Sequence, residues 1–319
     1  MAHWLDYGHG ICAIDAHYQR PGLAALYLLI EGGQAAFIDT GTSRSVPDAL
    51  DVLRQKGLAP ESVDYVMPTH AHLDHAGGAG EMMRRFPNAR LVAHPRAARH
   101  LIDPTKLITG VTAVYGAEAV ACSFGEDVPV PAERVIEAPD GFTLSLGGRA
   151  LRFLDTPGHA RHHFCVWDER SRGIFTGDTF GVSYRELDTE NGAFVFPTTT
   201  PVQFEPRALH DSIDRLMRYR PRQLYLTHFG RITQAEHAAQ QITPRDAPLM
   251  ACSPPIMRTA GPLRVVGHRD HIRPPRSAWR EYSVVADLGG PRRWNLRKTA
   301  RNAALKLGSP TLQAPKMKG

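Results

Sequence analysis

The stretch that decides the fold runs Thr69-His70-Ala71-His72-Leu73-Asp74-His75-Ala76-Gly77-Gly78. Before it, Val63-Asp64-Tyr65-Val66-Met67 is a short apolar run that reads as a strand, and the glycine pair after it reads as a turn. Three histidines and one aspartate fall within six positions. Imidazole is the commonest metal-ligating side chain, and a carboxylate adds charge for a hard or borderline cation. His70 and His72 are two apart, so on an extended chain both point to one side. Asp74 and His75 follow where the loop turns over and can face a second position. One segment can thus feed two adjacent metal ions. The alternative, a polar loop that happens to be rich in histidine, accounts for neither the order nor the spacing.

Further single residues stand at the ends of other strand-like runs. Asp39 lies in Phe37-Ile38-Asp39-Thr40-Gly41, and His159 in Thr156-Pro157-Gly158-His159. Asp178 lies in Thr176-Gly177-Asp178-Thr179, and His228 in Leu226-Thr227-His228-Phe229. As a set and in this order, these pieces resemble the metallo-β-lactamase-fold hydrolases over roughly residues 23 to 240. The Thr-Pro-Gly-His and Gly-Asp-Thr pieces look most like the glyoxalase II-like branch. Position 178 is Asp, whereas many true β-lactamases carry Cys at the corresponding motif, which points away from antibiotic hydrolysis. The glutathione-binding helical region of a complete glyoxalase II is not recognisable.

The resemblance implies an α/β fold, a four-layer αββα sandwich. It assigns His70, His72 and His159 to one metal and Asp74, His75 and His228 to another, with Asp178 bridging. A dinuclear hydrolase needs ligands that hold two cations about 3.5–4 Å apart with water between them. Near zinc the pKa of bound water falls from 15.7 towards about 7, so hydroxide is available at neutral pH to attack a carbonyl carbon. The metals then stabilise the oxyanion. The implied activity is metal-dependent hydrolysis of a small ester, thioester or lactone. Asp74 can accept or relay a proton. Asp39 either orients the histidine cluster by hydrogen bonding or caps a strand end. A donor set without cysteine suits Zn²⁺, and Fe²⁺ and Mn²⁺ also accept it.

The chain has 319 residues, enough for one large domain or two modest ones. No apolar run approaches the ~20 residues of a membrane span, and the first residues show no signal peptide. Cys12, Cys122, Cys165 and Cys252 form no Cys-x-x-Cys pair and read as buried or free thiols. A cytoplasmic protein is the plain expectation. The net charge of +6 is unevenly spread. Residues 1–243 hold 23 Lys and Arg against 28 Asp and Glu, whereas residues 244–319 hold 15 against 4. The mildly acidic body suggests no nucleic-acid footprint. Expected domains are a catalytic body over 1–243 and a Pro- and Arg-rich tail over 244–319. Ten prolines fall in the 76 residues of that tail. It is expected to be disordered or atypical, because it cannot bury enough apolar area to offset its ordering entropy.

Along the body, the first twenty residues are mixed and suggest no element. Leu26-Tyr27-Leu28-Leu29-Ile30 reads as a buried strand, joined by the turn Glu31-Gly32-Gly33-Gln34 to Ala35-Ala36-Phe37-Ile38-Asp39. Ser45 is expected to cap a helix with Pro47 in its first turn and Gly57 at its end. Short helices are expected over 80–86 and 95–102, with a strand over 91–93 between them. Residues 104–130 give no clean period and read as an irregular insert of the lid or pocket-wall kind. Strands are expected over 135–138, 143–146, 151–155 and 164–167, and residues 173–176 deliver Asp178. An amphipathic helix over 206–219 precedes the strand 223–227, and a further helix begins at 233.

Weaker candidates surround this set. His162, His163, Tyr184 and Arg185 are candidate substrate contacts, against the plain alternative of polar loops. Phe194 and Phe196 suit an apolar pocket rim. His94, His100, His210 and His237 read as surface or capping residues. Two competing functions follow from the same residues. A mononuclear iron dioxygenase acting on persulfide sulfur would use only His70, His159 and Asp178. A nucleic-acid-binding or processing protein would act through the basic tail, although that tail has few aromatics for base stacking. The expected partner is a small-molecule substrate, with no membrane. Oligomeric state is open, a homodimer included.

Overall fold

Leu26, Tyr27, Leu28 and Leu29 run apolar without interruption because both faces of their strand are buried. In the computed structural model, which describes residues 2–126, 128–190, 192–198 and 203–243, alternate residues of this run enter different cores. Leu26 and Leu28 join one apolar cluster, Tyr27 and Leu29 another. That division locates the layers.

The first sheet contains, in spatial and chain order, β1 (Trp4–Asp6), β2 (Ile11–Asp15), β3 (Ala25–Glu31), β4 (Gln34–Ile38), β5 (Val63–Met67), β6 (Arg90–Ala93) and β7 (Val135–Glu137). Strands β1 to β4 pair antiparallel, and β4 to β7 pair parallel. The second sheet contains β8 (Thr143–Leu146), β9 (Arg149–Asp155), β10 (Phe164–Asp168), β11 (Gly173–Val182), β12 (Gln223–His228) and β13 (Gly230–Ile232), again neighbours in order. Only β11 and β12 pair parallel there. The helices are α1 (Val46–Gln55), α2 (Leu73–Ala76), α3 (Ala79–Arg85), α4 (Pro95–Ile102), α5 (Thr105–Tyr115), α6 (Ala117–Phe124), α7 (Pro206–Met217) and α8 (Ala235–Ile242).

Tyr27, Leu29 and Ile38 from the first sheet pack with Leu151, Phe153, Phe164, Val166 and Phe175 from the second. On the outer face of the first sheet, Cys12, Leu28 and Phe37 meet Val52 and Leu53 of α1, Met82 and Met83 of α3 and Leu101 of α4. On the outer face of the second, Leu154, Ile174 and Leu224 meet Leu209, Ile213 and Leu216 of α7 and Ala238 and Ile242 of α8. This is a four-layer αββα sandwich. The crossovers β4–α1–β5 and β11–α7–β12 make parallel pairs. At the carboxyl ends of such strands, backbone polar groups and loops gather to form a crevice.

Several local expectations change. Residues 2–20 are not featureless: β1 and β2 form the sheet's outer hairpin, and Asp15 and Ala16 link its end to the turn at 20–24. Residues 104–130 are not irregular but carry α5 and α6, joined at Gly116, whose φ of 85° a residue with a side chain rarely adopts. Their period was hidden because α5 buries no residue, so no apolar stripe had to be selected. The cap before α1 is displaced: Thr42 accepts from Arg44 N at 3.3 Å, whereas the Ser45 hydroxyl donates to Ala16 O at 2.7 Å. No single helix among the described residues is long and apolar enough to cross a membrane. The expected tail, 244–319, lies outside the described residues.

One buried ion pair braces the second sheet. Arg149 Nε donates to Asp168 Oδ1 at 2.8 Å, its Nη2 to Oδ2, and both side chains are fully buried. Ser171 N adds a hydrogen bond to Asp168 Oδ2 at 3.2 Å. Burial pushes the Asp168 carboxyl up, but Arg149 and Ser171 outweigh it and hold it below the usual range. A depressed folded pKa stabilises the fold above the unfolded value, and that contribution is lost as pH falls through the folded one. Asp168→Ala leaves the buried guanidinium, among the described residues, with only the His9 carbonyl at 2.7 Å and the Glu31 carboxylate at 4.0 Å, and is expected to lower unfolding free energy by about 3 kcal/mol at neutral pH. The deficit should begin to shrink below about pH 4, where the carboxylate of the unfolded chain takes up its proton, and disappear only below the lower folded value. Urea unfolding at pH 7 and pH 3 reads both, and a loss under about 1 kcal/mol at pH 7 would show the pair carries no such role.

Candidate metal centre

After β5 the chain bends through residues 69–71 to His72, whose φ and ψ are −68° and 147°, and then enters the single turn of α2. The bend leaves His70 and His72 together on one side, and the helical turn swings Asp74 and His75 towards another. His72 Nδ1 lies 2.8 Å from His70 Nε2 and 3.1 Å from His159 Nε2, so three ring nitrogens converge. On the other side, Asp74 Oδ2 lies 3.6 Å from His75 Nε2 and 3.3 Å from His228 Nε2. Asp178 stands between the groups. Its Oδ2 is 3.3 Å from His159 Nε2, while its Oδ1 is 3.2 Å from His75 Nε2 and 3.6 Å from His228 Nε2. All seven residues picked as ligands from the sequence therefore meet at one place. Ligands about 2.1 Å from a tetrahedral cation are separated by about 3.4 Å, which is the spacing seen here.

Hydrogen bonding fixes which nitrogens face inward. Asp39 Oδ2 accepts from His75 Nδ1 at 2.9 Å, and the Leu23 carbonyl accepts from His228 Nδ1 at 2.8 Å. In the neutral rings Nε2 is therefore the lone-pair atom in both. His75 Nε2 and Asp178 Oδ1 are buried and have no hydrogen-bond partner. A lone pair facing a carboxylate oxygen is repulsive unless positive charge sits between them. The electrostatics agree. Burial pulls His75 down, but Asp178, Asp74 and Asp39 outweigh it and hold the ring well above its ordinary value. His228 is raised against burial by the same two carboxylates, Asp178 and Asp74. Burial and neighbouring imidazoles hold His70 well below its usual value and bring His72 to about 3, so these rings are neutral donors. Burial opposes ionisation of Asp178 and Asp74, yet the surrounding histidines keep both carboxyls low. Neutral imidazoles on one side, carboxylates with histidines on the other and two orphaned buried atoms between them fit a divalent cation.

Comparison with known proteins agrees with this geometry. Residues 20–228 match the metallo-beta-lactamase superfamily. The chain belongs to that superfamily. A metallo-beta-lactamase fold-containing protein of Sulfurisphaera tokodaii is 26% identical over 236 residues, covering 70% of this chain and 80% of its own. The crystal structure of that archaeal protein (there under Sulfolobus tokodaii) aligns with a TM-score of 0.59 at 26% identity, covering 73% of this chain and 86% of the other. The atrochrysone carboxyl ACP thioesterase of Aspergillus fumigatus is 30% identical over 156 residues, 48% of this chain and 38% of that enzyme. A hydroxyacylglutathione hydrolase of Maricaulis maris is 30% identical over 149 residues, 47% of this chain and 44% of that enzyme. The matched region thus spans less than half of each of these two enzymes. The glyoxalase II-like resemblance of the Thr-Pro-Gly-His and Gly-Asp-Thr pieces has its counterpart in the last of them.

The superfamily pieces owe their letters to contacts around the ligands. Asp39 is fully buried in the left-handed region, with φ 55°. Besides His75 it accepts from Thr69 N at 2.7 Å, Thr69 Oγ1 at 2.9 Å and Thr227 Oγ1 at 2.6 Å. It both orients a histidine and ties the ends of β5 and β12 together, so the two alternatives for this residue coexist. Gly177 has φ 47°, and a Cβ there would come 2.5 Å from His163 Nε2 and 2.6 Å from Thr69 Oγ1. His163 is no pocket-lining residue. Its ring is fully buried, its Nε2 accepts from Asp178 N at 3.1 Å, and its Nδ1 lies 2.9 Å from Thr156 Oγ1. It holds the backbone that presents Asp178. Thr198 Oγ1 lies 2.9 Å from His159 Nδ1.

The threonines are what the sequence reading missed. The signal was present, since Thr69 and Thr227 directly precede His70 and His228. The other weak candidates scatter. His162 is buried, and its Nδ1 accepts from Ala71 N at 3.3 Å. Tyr184 is half-buried, with the Arg20 guanidinium 5.2 Å from its ring centre and Phe196 at 6.2 Å. Arg185 donates to Ser183 O at 2.8 Å and lies 3.5 Å from Asp188, so its described partners are all within its own loop. His94 does cap a helix, accepting from Arg96 N at 3.0 Å, but is buried rather than on the surface. Leu73 packs with Val120 and Phe124 of α6, and Tyr18 adds to that cluster, so the 104–130 segment walls one side of the ligand loop.

Proposed function

We propose that this chain is a hydrolase that holds two divalent cations, zinc first, and cleaves a small thioester or ester, with lactones as a third carbonyl class. The observation that carries the reading is the second complete donor set. Asp74, His75 and His228 converge beside His70, His72 and His159, and Asp178 offers a separate oxygen to each group. The names of the Aspergillus thioesterase and the Maricaulis hydrolase support an acyl substrate. Divalent ions bound there would supply Lewis acidity and an acidified water.

The chain's own groups do the rest. Asp39 and the Leu23 carbonyl fix the tautomers of His75 and His228. Asp74 is the most exposed carboxylate of the centre, at 22% of its side chain, so it can orient a water there and relay the proton released during hydrolysis. Leu73, Val120 and Phe124 exclude water from one side.

Elemental analysis of protein purified without chelator is expected to give about two divalent ions per chain. Removing them with chelator should abolish turnover on a panel of thioesters, esters and lactones, and added metal should restore it. One iron per chain, with oxygen uptake on a persulfide, would replace this reading with the dioxygenase.

A further inference from the structure

Next to the centre is a second cavity, of about 570 Å³, in the size range of small-molecule sites. Arg96, Arg99 and His100 reach it from α4, Arg161 and His162 from the loop after His159, and Glu205 from the residue before α7. Its charges do not cancel. Arg161 Nε pairs with Glu205 Oε1 at 2.7 Å. Arg96 Nη1 donates to the Arg161 carbonyl at 3.1 Å, and Arg99 Nε to His100 Nε2 at 3.3 Å. Among the described residues, neither Arg96 nor Arg99 has a carboxylate within 4.0 Å. Two guanidinium groups thus face one cavity uncompensated, and their planar forks match phosphate oxygens.

His162 connects this cavity to the ligands. Its ring lines the cavity, and its centre is 5.6 Å from that of His72 and 6.1 Å from that of His70. Because Nδ1 accepts from Ala71 N, the neutral ring carries its proton on Nε2 as a further donor. A ligand spanning both sites needs an electrophilic carbonyl at one end and an anion further along the same chain.

We propose that this cavity takes a phosphate group on the leaving-group side of the substrate, so that the thiol carrier of a thioester is recognised by its phosphates. The inference rests on the thioester reading above. In that reaction water adds to the carbonyl carbon, the C–S bond breaks, and the products are a carboxylate and a thiol that takes up a proton. The carrier would be held by Arg96, Arg99 and the His162 donor while the acyl group points to the centre.

The test compares two thioesters of one acyl group on the full, metal-loaded chain. One is carried on coenzyme A, which bears phosphates, and the other on uncharged N-acetylcysteamine. The parent is expected to prefer the coenzyme A thioester through KM. The Arg96→Ala/Arg99→Ala variant is expected to lose about tenfold or more of that preference, the worth of a charged hydrogen bond or two. Both arginines are exposed, and a thermal melt checks the fold of the variant. Equal KM values for the two thioesters in the parent, or an unchanged ratio in the variant, would overturn the proposal. Binding of inorganic pyrophosphate by calorimetry separates the two readings. Pyrophosphate bound by the parent and lost in the variant supports the cavity even if no thioester is cleaved, in which case the thioester reading alone fails. Thioester cleavage with no pyrophosphate binding sinks the cavity alone.

Discussion

Asp178→Ala is expected to hold at least one divalent ion fewer than the parent and to lose more turnover than the ~10–100-fold typical of removing an outer hydrogen-bonding partner. Asp178 offers a separate oxygen to each donor group, Oδ2 to His159 and Oδ1 to His75 and His228. Without it, two neighbouring dications would repel with no shared anion between them. The side chain is buried, so its removal also leaves a space where the two donor groups meet. Its backbone, by contrast, is held independently by His163, and Gly177 is already shaped for the turn. The fold should therefore survive, and circular dichroism with elemental analysis separates loss of metal from loss of structure. A variant that keeps two ions and most of its rate would remove Asp178 from the centre.

How much of this the sequence disclosed depended on the physics behind each feature. The ligand residues from His70 to His75 were legible because metal binding demands particular side chains in a short, ordered spacing, whereas His159, Asp178 and His228 came from the family resemblance. Strands β3 and β4 were legible because their doubly buried faces leave continuous apolar runs, whereas the sandwich itself came from the family resemblance. Helices α5 and α6 were not, since a helix that buries little writes no periodicity. Strands β1 and β2 were hidden by Gly8, His9 and Gly10 of their turn. His163 shows a different limit. A histidine used as a neutral hydrogen-bond bridge to Asp178 N looks, in sequence, like a histidine meant for substrate. Only the position of the Asp178 backbone distinguishes them.

Asp39 yields the second large effect, and here the structure changes what a substitution should do. Its carboxylate accepts from four buried donors: Thr69 N, Thr69 Oγ1, Thr227 Oγ1 and His75 Nδ1. Asp39→Ala orphans all of them, and the expected loss of unfolding free energy is about 3–5 kcal/mol, as for breaking a buried charged network. Metal affinity should fall by ~10–100-fold as well, because His75 loses its orienting partner. Asp39→Asn separates these two consequences. The amide oxygen can still accept from Thr69, and the Thr227 hydroxyl can rotate to accept from the amide nitrogen. His75 cannot adapt so cheaply. An amide N–H facing its Nδ1 moves the ring proton to Nε2, the atom that should offer a lone pair to a cation. Asp39→Asn is therefore expected to unfold closer to the parent in urea than Asp39→Ala does, yet to bind the divalent ion on the Asp74, His75 and His228 side at least as poorly. Titration of chelator-stripped protein with zinc, alongside the urea curves, reads both. Parent-like metal affinity in Asp39→Asn would show that Asp39 serves only to join β5 to β12, and that the His75 tautomer is set by something else.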